Sequence, residues 1–298
     1  MTRITTINAY DVEINDGFDF EILKCENTFY LDDVYGYSQG FEIDNHHFDQ
    51  GTTVNFNITS FPLFSVEYNI SAGGYSEITS NNLFGDLINH YTYTIYPQTF
   101  LNIYYNTSDW EETDLDGDPG YEFIPFINNA SFTWESMVEL VEEANNQTYL
   151  SSWQTALAST NGTYTNTTTE FYLEYYLHGP IRQNITDNGQ IFLMEVDVEH
   201  HYQFAYNKTD NSMLGFRLMG ELDGESNGTT MEISYDYHTE LVGYDLPNLI
   251  FGIEGTTPPN GTGLDNLGLI LGLSTGIPSL LILTIIVVVI ITKKKRKT

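Results

Sequence analysis

The 298-residue chain has one cysteine, Cys25, so no internal disulfide can form and the fold rests on its core. It is also poor in bases, with ten Lys and Arg against 41 Asp and Glu, and its charged fraction is 17% where about 25% is usual. Half of those bases are Lys293, Lys294, Lys295, Arg296 and Lys297 at the C-terminus. The rest of the chain sets 41 acids against Arg3, Lys24, Arg182, Lys208 and Arg217, a net of −36. So negative a surface repels nucleic acid and anionic lipid, and suits high ionic strength, divalent cations or a basic partner. The opening "MTRITTINAYDVEINDGFDFEIL" lacks the apolar run of about 7–15 residues that an export signal carries. Between Asp265 and Lys293 there is no charge at all.

That last absence defines an element. A helix needs about 20 apolar residues to cross roughly 30 Å of hydrocarbon, and residues 269–292 are expected to form one transmembrane helix. Ile277 and Pro278 stand in its N-terminal half, and Ile291 stands near its end. The basic tail 293–298 stays cytoplasmic by the positive-inside rule, beside membrane lipid, which places the N-terminal domain outside the cell. Such a domain must be exported, so the signal not visible at Met1 is expected upstream or already trimmed.

The glycosylation pattern Asn-x-Ser/Thr agrees with that placement. It occurs at Asn57, Asn69, Asn106, Asn129, Asn146, Asn161, Asn166, Asn184, Asn207, Asn227 and Asn260, eleven of 26 asparagines. Chance at this composition gives roughly four or five.

Two-residue alternation dominates the chain and predicts a mainly antiparallel β (α+β) ectodomain. Between Gln190 and Tyr206, Phe192, Met194, Val196, Val198, His200, Tyr202 and Phe204 oppose Glu195, Asp197, Glu199, His201 and Gln203. Leu214, Phe216, Leu218 and Leu222 follow, then Met231, Ile233, Tyr235 and Tyr237. Together with a strand in "EFYLEYYLHG" they read as a meander over 161–250 with one wet face. The β-rich N-terminal region, residues 1–130, repeats the theme at Tyr10/Val12/Ile14, Val54/Phe56/Ile58 and Phe64/Val66/Tyr68/Ile70, with Asn57 and Asn69 on the polar phase. Between these regions, Trp134, Met137, Val138 and Val141 behind Thr133, and then Leu150, Trp153 and Leu157, predict a helical hairpin over 131–160. The Pro/Gly-rich stretch 251–268 reads as a linker to the membrane.

Motifs for chemistry are weak. "GYSQG" at 36–40 matches a nucleophile elbow around Ser38. An elbow needs a buried strand before it and a helix after it, so the match reads as accidental, a Gly-bounded hairpin turn, and the chain reads as no enzyme. Alternating Asp114, Asp116 and Asp118 with Glu122 are the candidate calcium ligands, although Pro119 and Pro125 stand where a calcium loop requires Gly and Glu. Calcium is the one cofactor to weigh. Adjacent His200 and His201, like His46 and His47, point to opposite faces of a strand and make no metal signature.

The stretch "LVGYDLPNLIFGIEGTTPPNGTG", followed by the apolar span and the basic end, resembles the C-terminal region of Asgard-archaeal surface proteins with a membrane tail, the choice-of-anchor S group. "YNKTDNSMLGFRLMGEL" is similar to the strand–turn–strand they carry upstream. The resemblance covers about the last 90 residues, and it implies an exported, single-pass archaeal surface protein. The expected role is therefore binding, adhesion or envelope structure by a membrane-anchored glycoprotein, with a protein or glycan as extracellular ligand. Two alternatives are an extracellular hydrolase, which needs a cleft with facing carboxylates, and a hydrophobe carrier, which needs a cavity along Phe192, Val196 and Tyr202.

Overall fold

The computed structural model describes residues 11–32, 34–62, 65–82, 125–127, 134–146, 158–187, 190–226 and 228–252. The protein is mostly antiparallel β. Its strands are β1 (Gly17–Leu31), β2 (Val34–Gln39), β3 (Phe41–Ile43), β4 (His46–Phe48), β5 (Thr52–Ser60), β6 (Ser65–Ala72), β7 (Tyr75–Asn82), β8 (Ser159–Asn166), β9 (Glu170–Asp187), β10 (Gln190–Asn207), β11 (Met213–Ser226) and β12 (Thr229–Leu241). One sheet of ten strands runs β7-β6-β5-β1-β12-β11-β10-β9-β8, with β2 paired to β1, while β3 and β4 make a small hairpin.

Alternation sorts the side chains onto two faces. Phe20, Phe56, Tyr68, Leu173, Tyr202, Phe204, Leu218, Ile233 and Tyr237 are buried on the inner face. They meet as cross-strand partners, among them Phe204 with Leu173 and Phe216. Removing such apolar surface from water, at about 25 cal/mol per Å², drives the fold. Helix α1 (Trp134–Asn146) packs against β8 and β9. Trp134 lies 5.1 Å from the Phe171 ring, Met137 and Val141 are buried, and the Asn145 side chain accepts from Gly162 N at 2.8 Å and donates to Gly162 O at 3.0 Å.

The inner face holds one polar row. His200, Gly220, Tyr235 and Asn27 are successive register partners on β10, β11, β12 and β1. The Tyr235 hydroxyl crosses over Gly220 to reach His200 Nδ1 at 2.6 Å. A Cβ on Gly220 would sit 2.4 Å from that hydroxyl, so only glycine fits between the partners.

Several expectations change. Tyr10/Val12/Ile14 make no strand among the described residues: 11–16 are irregular, Asn15 has φ 76°, and Glu13 N donates to the Asp16 carboxylate at 2.7 Å, which turns the chain. Val12 is buried and Ile14 is 53% exposed. The central strand β1 has no simple alternation, because the register shifts between Ile22 and Lys24. Apolar residues occupy Phe18, Phe20 and Ile22 before the bulge and Cys25 and Phe29 after it, so the period of two breaks in mid-strand. β8 opens at Ser159, inside the span expected to be helical. Residues 147–157, with the second helix of the hairpin, lie outside the described residues.

Candidate functional site

One face of the meander is expected to be wet, yet part of it is dry. His201, Gln203 and Glu174 stand on the polar phase of β10 and β9, yet all three are buried. The cover is the segment 242–252 after β12, which crosses β11, β10 and β9 as a strap. Gly215 on β11 leaves the room that Leu246 fills, since a Cβ there would meet Leu246 at 2.7 Å.

Polar groups fasten the strap to β12, β10 and β9. Leu246 N donates to Glu240 Oε1 at 2.9 Å, and His238 Nε2 shares that oxygen at 2.8 Å. Gln203 Nε2 donates to Pro247 O at 3.2 Å and to the Tyr172 hydroxyl at 2.9 Å. The fully buried Glu174 carboxylate then accepts from Ile250 N at 2.9 Å, Phe251 N at 3.0 Å and the Tyr172 hydroxyl at 2.9 Å. A carboxylate out of water is tolerated because donors replace its hydration. Tyr244 donates to Glu170 at 2.8 Å, and the Phe251 ring stacks on Tyr176 at 6.2 Å.

Burial sets the protonation states. It raises the Tyr172 hydroxyl, with the Glu174 charge adding, so Tyr172 remains a donor. The Tyr176 hydroxyl is pushed up to about 12 by burial, with the Glu199 charge adding. Both His201 and His238 are held below the ordinary histidine value, burial outweighing their carboxylate neighbours Glu199 and Glu240. Burial also lifts Asp236 above the usual carboxylate range, against the pull of Arg217.

Beyond the strap the outer face is open and acidic. The register places Glu195 opposite Glu225, Asp197 opposite Asp223 and Glu199 opposite Glu221, and Asp223 also faces Glu232. All are exposed. Like charges directly opposite cost stability, and Arg182 compensates only at one end, 2.6 Å from Glu195. A surface cleft of about 320 Å³ lies among Tyr176, His178, Asp197, Glu199, Glu221 and Asp223. The result is an acidic patch across β10, β11 and β12.

Other expected residues fall elsewhere. Ser38 lies within β2, paired with Asn27, and only Gly40 turns, at φ 85°, leading into β3. "GYSQG" is thus mainly strand rather than a hairpin turn, and no helix follows it. His200 and His201 do take opposite faces, and His46 stacks on Tyr75 at 3.8 Å. Among the described residues no group of three or more His, Cys, Asp or Glu is placed to hold a metal ion. Asp114, Asp116, Asp118 and Glu122 lie outside the described residues, as do Asn106, Asn129, Asn227, Asn260 and the anchor residues Ile277, Pro278, Ile291 and Lys293 to Lys297. Among the described residues no helix is long and apolar enough to cross a membrane.

Six sequon asparagines have described side chains, Asn57, Asn69, Asn146, Asn161, Asn166 and Asn207, and none is buried. The buried asparagines Asn27 and Asn211 belong to no sequon. The strap was missed from the sequence. Its signal was the apolar Leu246, Leu249, Ile250 and Phe251 after the last alternating strand, but nothing local says that they lie over Gln203 and Glu174. No family model, curated protein or solved structure matches this chain.

Proposed function

We propose that this chain is a glycosylated cell-surface protein, held by one C-terminal transmembrane helix with its tail in the cytoplasm, and that its acidic outer face binds a basic extracellular partner. The observation that carries the reading is the sorting of asparagines: the described sequons avoid burial, and the buried Asn27 and Asn211 avoid sequons. A glycan needs an acceptor at the surface. The strap supports the same reading, because it fixes the chain to the sheet just before the Pro/Gly linker and the apolar span. The expected helical hairpin over 131–160, of which α1 is the described part, belongs to the same proposal, and the resemblance to choice-of-anchor S surface proteins accords with this plan.

The test is protease shaving of intact cells, followed with an antibody to the cytoplasmic tail and repeated after deglycosylation. A shaved ectodomain, a small tail fragment and a glycan-dependent shift are expected. A full-length band that resists protease and does not shift refutes the reading.

An extracellular glycosidase is the second reading, favoured by the facing pairs Asp197/Asp223 and Glu199/Glu221 in the cleft. Such an enzyme needs two carboxyls whose surroundings push their proton affinities apart. Here all four are exposed, and that shared setting ranks binding first. Release of reducing ends from an oligosaccharide panel, lost in Asp197→Asn, would reverse the order.

A further inference from the structure

Two of the sequons are not independent. Asn57 on β5 and Asn69 on β6 are direct register partners on the outer face, and such partners hold their Cβ atoms roughly 5 Å apart. A glycosyl transferase must enclose the acceptor amide. A sugar already present on the neighbouring strand stands in that approach, so the two sites compete.

The surroundings of the pair favour one member. Asn69 lines a cleft of about 450 Å³, together with Asp19, Asn55, Ser71, Tyr75 and Ser76, and Asn57 does not. These walls offer amide, hydroxyl and carboxylate groups, with Asn55 Nδ2 donating to Asp19 Oδ1 at 2.8 Å. The hydroxyls of a sugar, each both donor and acceptor, match that mixture. On the other side of Asn69 its register partner Ile78 is 66% exposed. A sugar on Asn69 would cover it.

We propose that Asn69 is the glycan-bearing member of the pair, that its proximal sugar lies in this cleft, and that this glycan keeps Asn57 bare. The inference rests on the cell-surface reading above. Its test is site occupancy on the full chain taken from cell membranes. A Glu-specific protease cuts after Glu67 and so separates the two sequons, and Asn161 reports on export and glycosylation as an internal control.

The expected result is Asn69 occupied and Asn57 bare in the parent chain, with the glycan appearing at Asn57 in Asn69→Gln. Occupancy above half at both sites means that some molecules carry both, which overturns the proposal. A bare Asn57 in Asn69→Gln, with Asn161 occupied, overturns it too, as does a bare Asn69 in the parent beside an occupied Asn161. If every sequon is bare, the cell-surface reading itself fails and takes this proposal with it.

Discussion

The substitution Glu174→Gln tests whether the strap is held by a buried charge. In the parent, two backbone amides and one hydroxyl converge on the carboxylate, at 2.9 to 3.1 Å. Glutamine keeps the shape but replaces one acceptor oxygen with an NH₂ group. If that group turns toward the strap, it meets N–H donors of Ile250 and Phe251. If it turns toward Tyr172, the hydroxyl loses its acceptor. Hydrogen bonds to a charged group contribute about 1.5–3 kcal/mol each, so losing one or more weakens strap docking by ~2–4 kcal/mol. At 1.4 kcal/mol per tenfold, the open strap becomes roughly 30- to 700-fold more populated. Native-state hydrogen exchange of the 242–252 peptide reads this directly. Faster exchange at Ile250 and Phe251 is expected, with β10 and β11 unchanged, and Glu232→Gln on the same face serves as control. Unchanged exchange in Glu174→Gln would refute the carboxylate as the fastening.

Three further outcomes follow from the same geometry. Gly220→Ala drives a methyl into the Tyr235 hydroxyl and the Glu199 carbonyl, so it should cost about 1–3 kcal/mol and lower the melting temperature by several degrees in a thermal scan. Asp223→Asn relieves repulsion from both Asp197 and Glu232, so it should stabilise by a few tenths of a kcal/mol at low salt, and the gain should shrink on adding NaCl. The folded state holds His201 and His238 below the unfolded value of 6.5. Unfolded chains therefore take up more protons below that pH, and stability present above pH 6.5 is lost as pH falls toward the folded values. Asp236, raised above 3.8, acts in the opposite sense at lower pH. Urea midpoints at pH 7.5 and 5.5 should show the loss, and His238→Gln should reduce it.

What was legible locally was pattern. β5, β6, β9, β10, β11 and β12 carry alternation over most of their length, and α1 carries i, i+3, i+4, i+7 spacing, so most of their inner residues are readable from the chain alone; a register shift at Ala205/Tyr206 sets Met213 rather than Leu214 opposite Tyr206. β1 was not legible, because a bulge at Ile22/Lys24 moves its apolar residues to the other phase. β8, "STNGTYTN", was hidden by polarity: its place comes from pairing with β9 and from α1 above Gly162, not from its own composition.

The sequence by itself determined the charge balance, the lone cysteine, the sequons and the two faces of each alternating strand, because these depend on residue type and a period of two. Only the tertiary structure decided that β1 joins the N-terminal strands to β12, that Asn57 meets Asn69, that carboxylates face each other across β10, β11 and β12, and that the strap dries part of the outer face. The physical reason is register. Which residue stands opposite which is settled by hydrogen bonds between strands far apart in the chain, and a single residue's identity carries no record of that partner.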